Sequence, residues 1–328
     1  MNYLAANVSR LGQVNSVGVD NRELFLKVFA GEVLAAFERK NIMLPITSVR
    51  TITHGKSAQF PATGQIGAEY HIPGTPLTGL PLNHAERVIT IDELLVSHAF
   101  IADIDEAMNH YEVRSIYSNE MGNKLATTMD ENILRNIILG ARASNPVTGE
   151  PGGTELINDK FKMSADAGVD GGAVSLEEQT NALASALFSA AQILDEKDVA
   201  EDGRYCVVRP EHYYILAQNL NLINTRYGGK GAISEGSIIR VAGIDILKSN
   251  NVPKTNVGDP FHAVNAAKTI GVVGTKASVG TVKLMDLSMQ SEWDIRRQGT
   301  LMVARYAVGH GYLRPQCSVE LRLDTLNN

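Results

Sequence analysis

The stretch IDEAMNHYEVRSIYSNEMGNKLATTMDENILRNIILGARA, residues 104–143, contains no proline. Met121, Leu125, Met129, Ile133 and Ile137 step through it by four, and Met108 and Tyr111 extend the stripe backward. Side chains four apart share one face of a helix, so the spacing predicts a single helix over the whole stretch. At 1.5 Å per residue it would run roughly 60 Å, well past the usual globular helix, and would act as a rigid strut. A bend is expected at Gly122. The polar flank of Asp105, Glu112, Asn119, Asn123 and Lys124 reads as a solvated face.

The chain before this strut divides into unlike parts. Residues 1–20 show no sustained period and read as a flexible or partner-ordered tail. Over 21–39, Leu26, Phe29, Val33 and Phe37 recur at helical spacing, backed by Leu24, Phe25, Val28 and Leu34. The pattern predicts a helix with a broad apolar surface, and leaves open whether it packs on its own domain or lies on a neighbouring subunit. From Ile46 to Asp92, Val49–Thr53 and Val88–Ile91 suit the two strands of a ribbon. Between them Pro73, Gly74, Pro76, Gly79 and Pro81 crowd a span that can be neither helix nor central strand, and predict a polar, irregular hairpin tip. A helix-free connection of this length points to a partner-binding arm, the alternative being an ordinary surface loop.

Behind the strut, the Gly-, Pro- and Asp-rich passage from Ser144 to Gly172 reads as an excursion between two structural regions. Ser175 with Glu178 forms a capping box that opens a helix running to about Lys197, with Leu183, Leu187, Ala190 and Leu194 inward. Arg204–Arg209 is a short β run, Pro210 is placed to start another helix, and Ile238–Leu247 reads as a strand. Further strands are expected at Thr269–Val273, Leu301–Val308 and Ser318–Leu323. The alternation predicts an α/β or α+β domain, with strands predominating toward the end.

Composition narrows the function classes. The 328 residues are 44% hydrophobic, enough for one large core or two modest ones. Lys+Arg 30 against Asp+Glu 36 leaves a formal net charge of -6, which argues against tight neutralisation of nucleic-acid phosphates. No export signal and no apolar run long enough for a membrane helix is present, so a soluble, unexported chain is expected. Cys206 and Cys317 lie among apolar neighbours and read as reduced core thiols. Motifs for chemistry fail. Gly55, Lys56 and Ser57 imitate a phosphate loop, but Arg50 stands where its first glycine belongs. Gly228, Gly229 and Gly231 lack dinucleotide spacing, and Ala232 occupies a position where a nucleophile elbow needs glycine. Eight histidines are scattered without metal-ligand spacing. Asp103, Asp105 and Glu106 suit a helix dipole better than acid/base work, and Trp293 fits an interface or a packing role equally. No catalytic residue, cofactor or metal is expected.

Several stretches carry a resemblance: LFLKVFAGEVLAAFER at Leu24–Arg39, HGKSAQFPATGQ at His54–Gln65, RVITID at Arg87–Asp92, DIDEAMNHYEVRSIY at Asp103–Tyr117, VGTVKLMDL at Val279–Leu287 and ARYAVGHGYLRP at Ala304–Pro315. Through them the chain resembles the major capsid proteins of T7-like podophages from about Leu24 to Leu323. The resemblance implies the HK97-like capsid fold, with an N-terminal arm over 1–45, an extended β-hairpin E loop over 46–92 and a peripheral domain with the long spine helix over 93–174. An axial domain over 175–290 and return strands over 291–328 would complete it. It implies a shell protein of the virion, made in the host cytoplasm, that assembles into pentamers and hexamers. Partners would be a scaffolding protein, a portal protein and packaged double-stranded DNA held by weak non-specific contact; no membrane is involved. A compartment shell of the same fold, enclosing cargo enzymes, is the rival. Carried over, Lys56, Ser57, Gln59, Phe60, Pro61, Pro73 and Pro76 of the E loop, and Phe25, Phe29 and Phe37 of the arm, would touch neighbouring subunits. The family lacks covalent cross-links, so Lys56 is given no catalytic role.

Overall fold

The computed structural model describes residues 32–38, 40–64, 66–74, 76, 79–80, 82–104, 113–161, 175–218 and 240–323. The chain forms two compact units. One comprises the chain up to Ile42, Glu93–Met129 and Met285–Val308; the other comprises Met43–Asp92, Asp130–Leu284 and the chain from Gly309. Three long elements run through both: helix α1 (Val113–Arg142) and strands β12 (Val279–Asp294) and β13 (Gly299–Tyr312).

In the first unit, residues 32–38 are helical and turn Val33, Ala36 and Phe37 inward. They approach α1 at Gly122, beside the buried stripe residues Met121, Leu125 and Met129. Helix α1 is unbroken through Gly122, where the leading helix makes a close approach. A Cβ there would stand 2.5 Å from the Val33 carbonyl oxygen and 2.9 Å from the Ala36 Cβ, so only glycine admits the leading helix at this depth. Tyr306 Oη donates to the Leu125 carbonyl at 3.2 Å and meets Phe37 edge-on at 5.9 Å between ring centroids. Strand β4 (Leu95–Ala102) pairs antiparallel with β13 from Leu95↔Tyr306 to Ala102↔Gly299. At 30 residues, α1 spans about 45 Å. Met108 and Tyr111 lie outside the described residues.

The second unit is built on a six-stranded sheet in the order β5-β14-β11-β6-β8-β7, formed by β5 (Thr154–Asn158), β6 (Tyr205–Val208), β7 (Arg240–Val241), β8 (Ile244–Lys248), β11 (Thr269–Gly274) and β14 (Val319–Leu323). Helix α2 (Leu176–Glu196) opens on the expected capping box: Ser175 accepts from the Glu178 N–H while the Glu178 carboxylate accepts from the Ser175 N–H. It buries Leu183, Leu187, Ala190 and Leu194 against Cys206, Val208, Val273 and Leu321. Helix α3 (Pro210–Leu216) begins at its proline. Two expectations change. Ile238–Leu247 is not one strand but the hairpin β7–β8, turned at Ala242 and Gly243, both at positive φ. Part of the supposed excursion, β5, joins the sheet parallel to β14 because Leu156 can rest on the core below. Residues 162–174 lie outside the described residues. At the end of α1 the Arg142 guanidinium grips the fully buried Glu320 carboxylate through two bonds of 2.7 Å, and the hydroxyl of Thr269 donates to the same group. Glu320 holds the Arg142 charge against its partial burial and raises its pKa.

Candidate functional site: a ribbon and its root

Strands β2 (Ser57–Thr63) and β3 (His84–Thr90) pair antiparallel over seven residues, from Ser57↔Thr90 to Thr63↔His84. The expected partner of Val88–Ile91 was Val49–Thr53, and that pairing is wrong. Strand β1 (Ser48–Thr51) instead runs parallel to β12, with Ser48 opposite Gly280, because β1 lies on the body of the unit while β2 can reach the ribbon. Pro61 is tolerated in β2 because a two-stranded ribbon has no interior strand.

The ribbon is buried only at its root. Ala58 and Ile89 are buried, whereas Ser57, Gln59, Pro61 and Thr63 alternate outward. Ile91 N–H donates to the Lys56 carbonyl at 2.8 Å and closes the root. Arg50 donates to the Gln59 carbonyl at 2.7 Å and lies 5.7 Å over the Phe60 ring; the Arg87 guanidinium lies 3.8 Å from the centroid of Tyr312. Beneath the root, β13 carries Gly309, His310 and Gly311. A Cβ on Gly309 would stand 2.2 Å from the Thr90 carbonyl oxygen. One on Gly311 would come within 2.9 Å of Ile89, as would one on Gly280 of β12. The Gly-His-Gly sequence is therefore a seat cut into a strand.

A buried polar chain lies beside this seat. His262 Nε2 is 2.8 Å from the Asp92 carboxylate, directly after β3, and its Nδ1 is 3.1 Å from Asn136 Nδ2 on α1. The Asn136 amide also donates to the Asn132 carbonyl at 2.8 Å, so its nitrogen faces the ring and donates to Nδ1. Nε2 is then the ring nitrogen left to donate to Asp92. The His310 ring centroid lies 6.0 Å away, with Nδ1 3.0 Å from Thr281 Oγ1 and Nε2 without a hydrogen-bond partner among the described residues. Burial, and secondarily the neighbouring His262, push the His310 pKa down to about 3.

Of the residues expected at subunit contacts, Lys56, Ser57, Gln59 and Pro61 are exposed along the ribbon, Phe60 is half-buried under Arg50, and Pro73 and Pro76 are exposed at the tip. Phe37 is only 8% exposed; its ring is occupied by Tyr306 of its own chain and offers a neighbour little surface. Phe25 and Phe29 lie outside the described residues. The tip is not simply polar, as its prolines and glycines suggested: Ile66 and Ile72 are 67% and 69% exposed, Tyr70 fully so, and Leu80 is exposed as well. The root residues Asp92, His262, His310 and the paired glycines escaped sequence reading, although glycines inside a β run were a usable signal.

The comparisons agree with this architecture. Residues 59–322 match the family model described as Gp10A-like, major capsid protein. The chain is 32% identical over 321 residues to the major capsid protein of Escherichia phage T7, covering 91% of each. The capsid structure of cyanophage P-SCSP1u is 46% identical with a TM-score of 0.76, covering 98% of this chain and 100% of that one. A virus-like particle from Pyrococcus furiosus is 12% identical with a TM-score of 0.55, covering 91% and 99%, and shares the fold alone. The chain belongs to the Gp10A-like family of major capsid proteins and has the HK97-like capsid fold.

Proposed function

We propose that this chain forms the closed icosahedral shell of a phage virion, in pentamers and hexamers, and that the ribbon is the clasp by which each copy holds the next. The observation that carries the reading is the ribbon's gradient, from a root buried on its own chain to a tip that exposes Ile66, Tyr70 and Ile72. Isolated proteins seldom leave such side chains grouped in water, and burying each would contribute about 1.5–3 kcal/mol. Head-to-tail contacts of this kind generate rings. A subunit held by several neighbours leaves only when all contacts open together, so modest pairwise affinity gives a durable shell.

In this reading the arm over 1–45, E loop over 46–92, peripheral domain over 93–174, axial domain over 175–290 and return strands over 291–328 are the working parts. Phe25 and Phe29 contact a neighbour, and assembly in the host cytoplasm is guided by a scaffolding protein and a portal protein. The net charge of -6 leaves packaged double-stranded DNA only weak contact with the wall. The protein has no catalytic role. The rival, a compartment shell for enzymes, is not favoured, because the family model and the T7 relative are major capsid proteins. Deleting Pro73–Pro81 is expected to leave a folded subunit that does not close shells, scored by circular dichroism and electron microscopy. Intact shells from that deletion would end the clasp reading.

A further inference from the structure

The chemistry left unused by the clasp is the buried polar chain under the ribbon's root. We infer that His310 makes this root a proton-sensitive hinge: with its ring neutral the ribbon is held on its seat, and acidification releases it without unfolding the rest of the unit.

The geometry gives the direction. His262 lies beside His310, with Nδ1 accepting from Asn136 and Nε2 facing Asp92. The His310 cation would need two acceptors, and among the described residues only Thr281 is within reach; Nε2 has none. The two rings abut, so a charge on either opposes a charge on the other. The Asp92 carboxylate faces His262 from the end of β3. Phe261 adds an uncharged ring beside His262, and Arg135, next to Asn136, is already paired with Glu131 and Asp259.

The link from rings to ribbon is direct. Asp92 follows Ile91, whose N–H closes the root on Lys56, and the Thr90 carbonyl rests on Gly309, the neighbour of His310. Lifting the root therefore exposes both rings to water. A histidine whose folded pKa lies below its unfolded value contributes stability above the unfolded pKa, near 6.5, and loses it as pH falls toward the folded value. For His310, depressed to about 3, that window runs from about 6.5 down to 3. Each histidine that gains a proton only on opening raises the open population about tenfold per pH unit inside it.

Hydrogen exchange of the dissociated full-length subunit between pH 7 and 4.5, corrected for intrinsic rates, tests the hinge. Amides at the root, Ile91 and those of β2 and β3 beside it, should open at least tenfold more readily per pH unit below about 6.5, while β6 and β11 of the six-stranded sheet keep their protection. His310→Gln should keep the neutral-pH protection and lose the acid response, and His310→Asn serves if that variant does not fold. Root and sheet losing protection in parallel, or a wild-type slope in His310→Gln, would overturn the hinge. The consequence for assembly rests on the clasp reading, but the exchange experiment does not, so a failed hinge leaves the clasp standing and a failed tip deletion leaves the hinge.

Discussion

Glu320 and Arg142 show how a single pair can be worth more by its failure than by its presence. Glu320 is fully buried, whereas Arg142 keeps part of its side chain in water. Removing the arginine strands a carboxylate whose remaining partner among the described residues is the Thr269 hydroxyl, a loss of about 3–5 kcal/mol for a broken buried pair. Removing the carboxylate frees a guanidinium that can hydrate and that still has Glu155 within 3.9 Å. We expect Arg142→Ala to destabilise the dissociated subunit more than Glu320→Leu does, measured by urea denaturation at pH 7; equal losses would mean the pair is solvated in solution. Neither residue stood out in the sequence, where an arginine at a helix end and a glutamate in a β run look like surface charges. Their partnership joins positions far apart in the chain.

Among the elements, α1 was the most legible and its glycine the least. Periodicity located the buried stripe of Met121, Leu125, Met129, Ile133 and Ile137, since each of these contacts repeats every turn and is written locally. Gly122, in contrast, looked like a weak point in the helix and is a contact point for a second one. Gly122→Val is expected to detach the 32–38 helix from the stripe at a cost of at least about 2 kcal/mol, because the obstructing atom is a backbone oxygen that cannot rotate away. The readout is faster proteolysis near residue 40 together with a lower thermal midpoint; an unchanged midpoint would show that the two helices do not touch. The ribbon was half legible. Its second strand was read correctly over Val88–Thr90, but its first strand was assigned to Val49–Thr53, whose Val- and Thr-rich composition fits a sheet position as well as a ribbon.

At the level of the whole molecule, apolar side chains exposed on one copy become the test of what many copies do. Tyr70 and Ile72 are exposed on the ribbon tip. Replacing both with serine should change the stability of the dissociated subunit by no more than about 0.5 kcal/mol, the range of ordinary surface substitutions. The same change repeated around a shell should lower the denaturant concentration at which the shell dissociates, followed by light scattering. A subunit destabilised as much as the shell would place the tip inside its own fold.

The sequence by itself determined the long helix, the capping box at Ser175, the proline start at Pro210 and, through its motifs, the family. These rest on hydrogen bonds and side-chain contacts closed within a few residues, which the local order of amino acids specifies. Only the tertiary structure decided that β1 pairs with β12, that Gly309 and Gly311 seat Thr90 and Ile89, and that His262 reaches Asp92 on one side and Asn136 on the other. A strand's partner and a buried histidine's tautomer are set by which distant surface excludes water best and which distant donor is left unpaired, and neither is encoded at the position where its effect is felt.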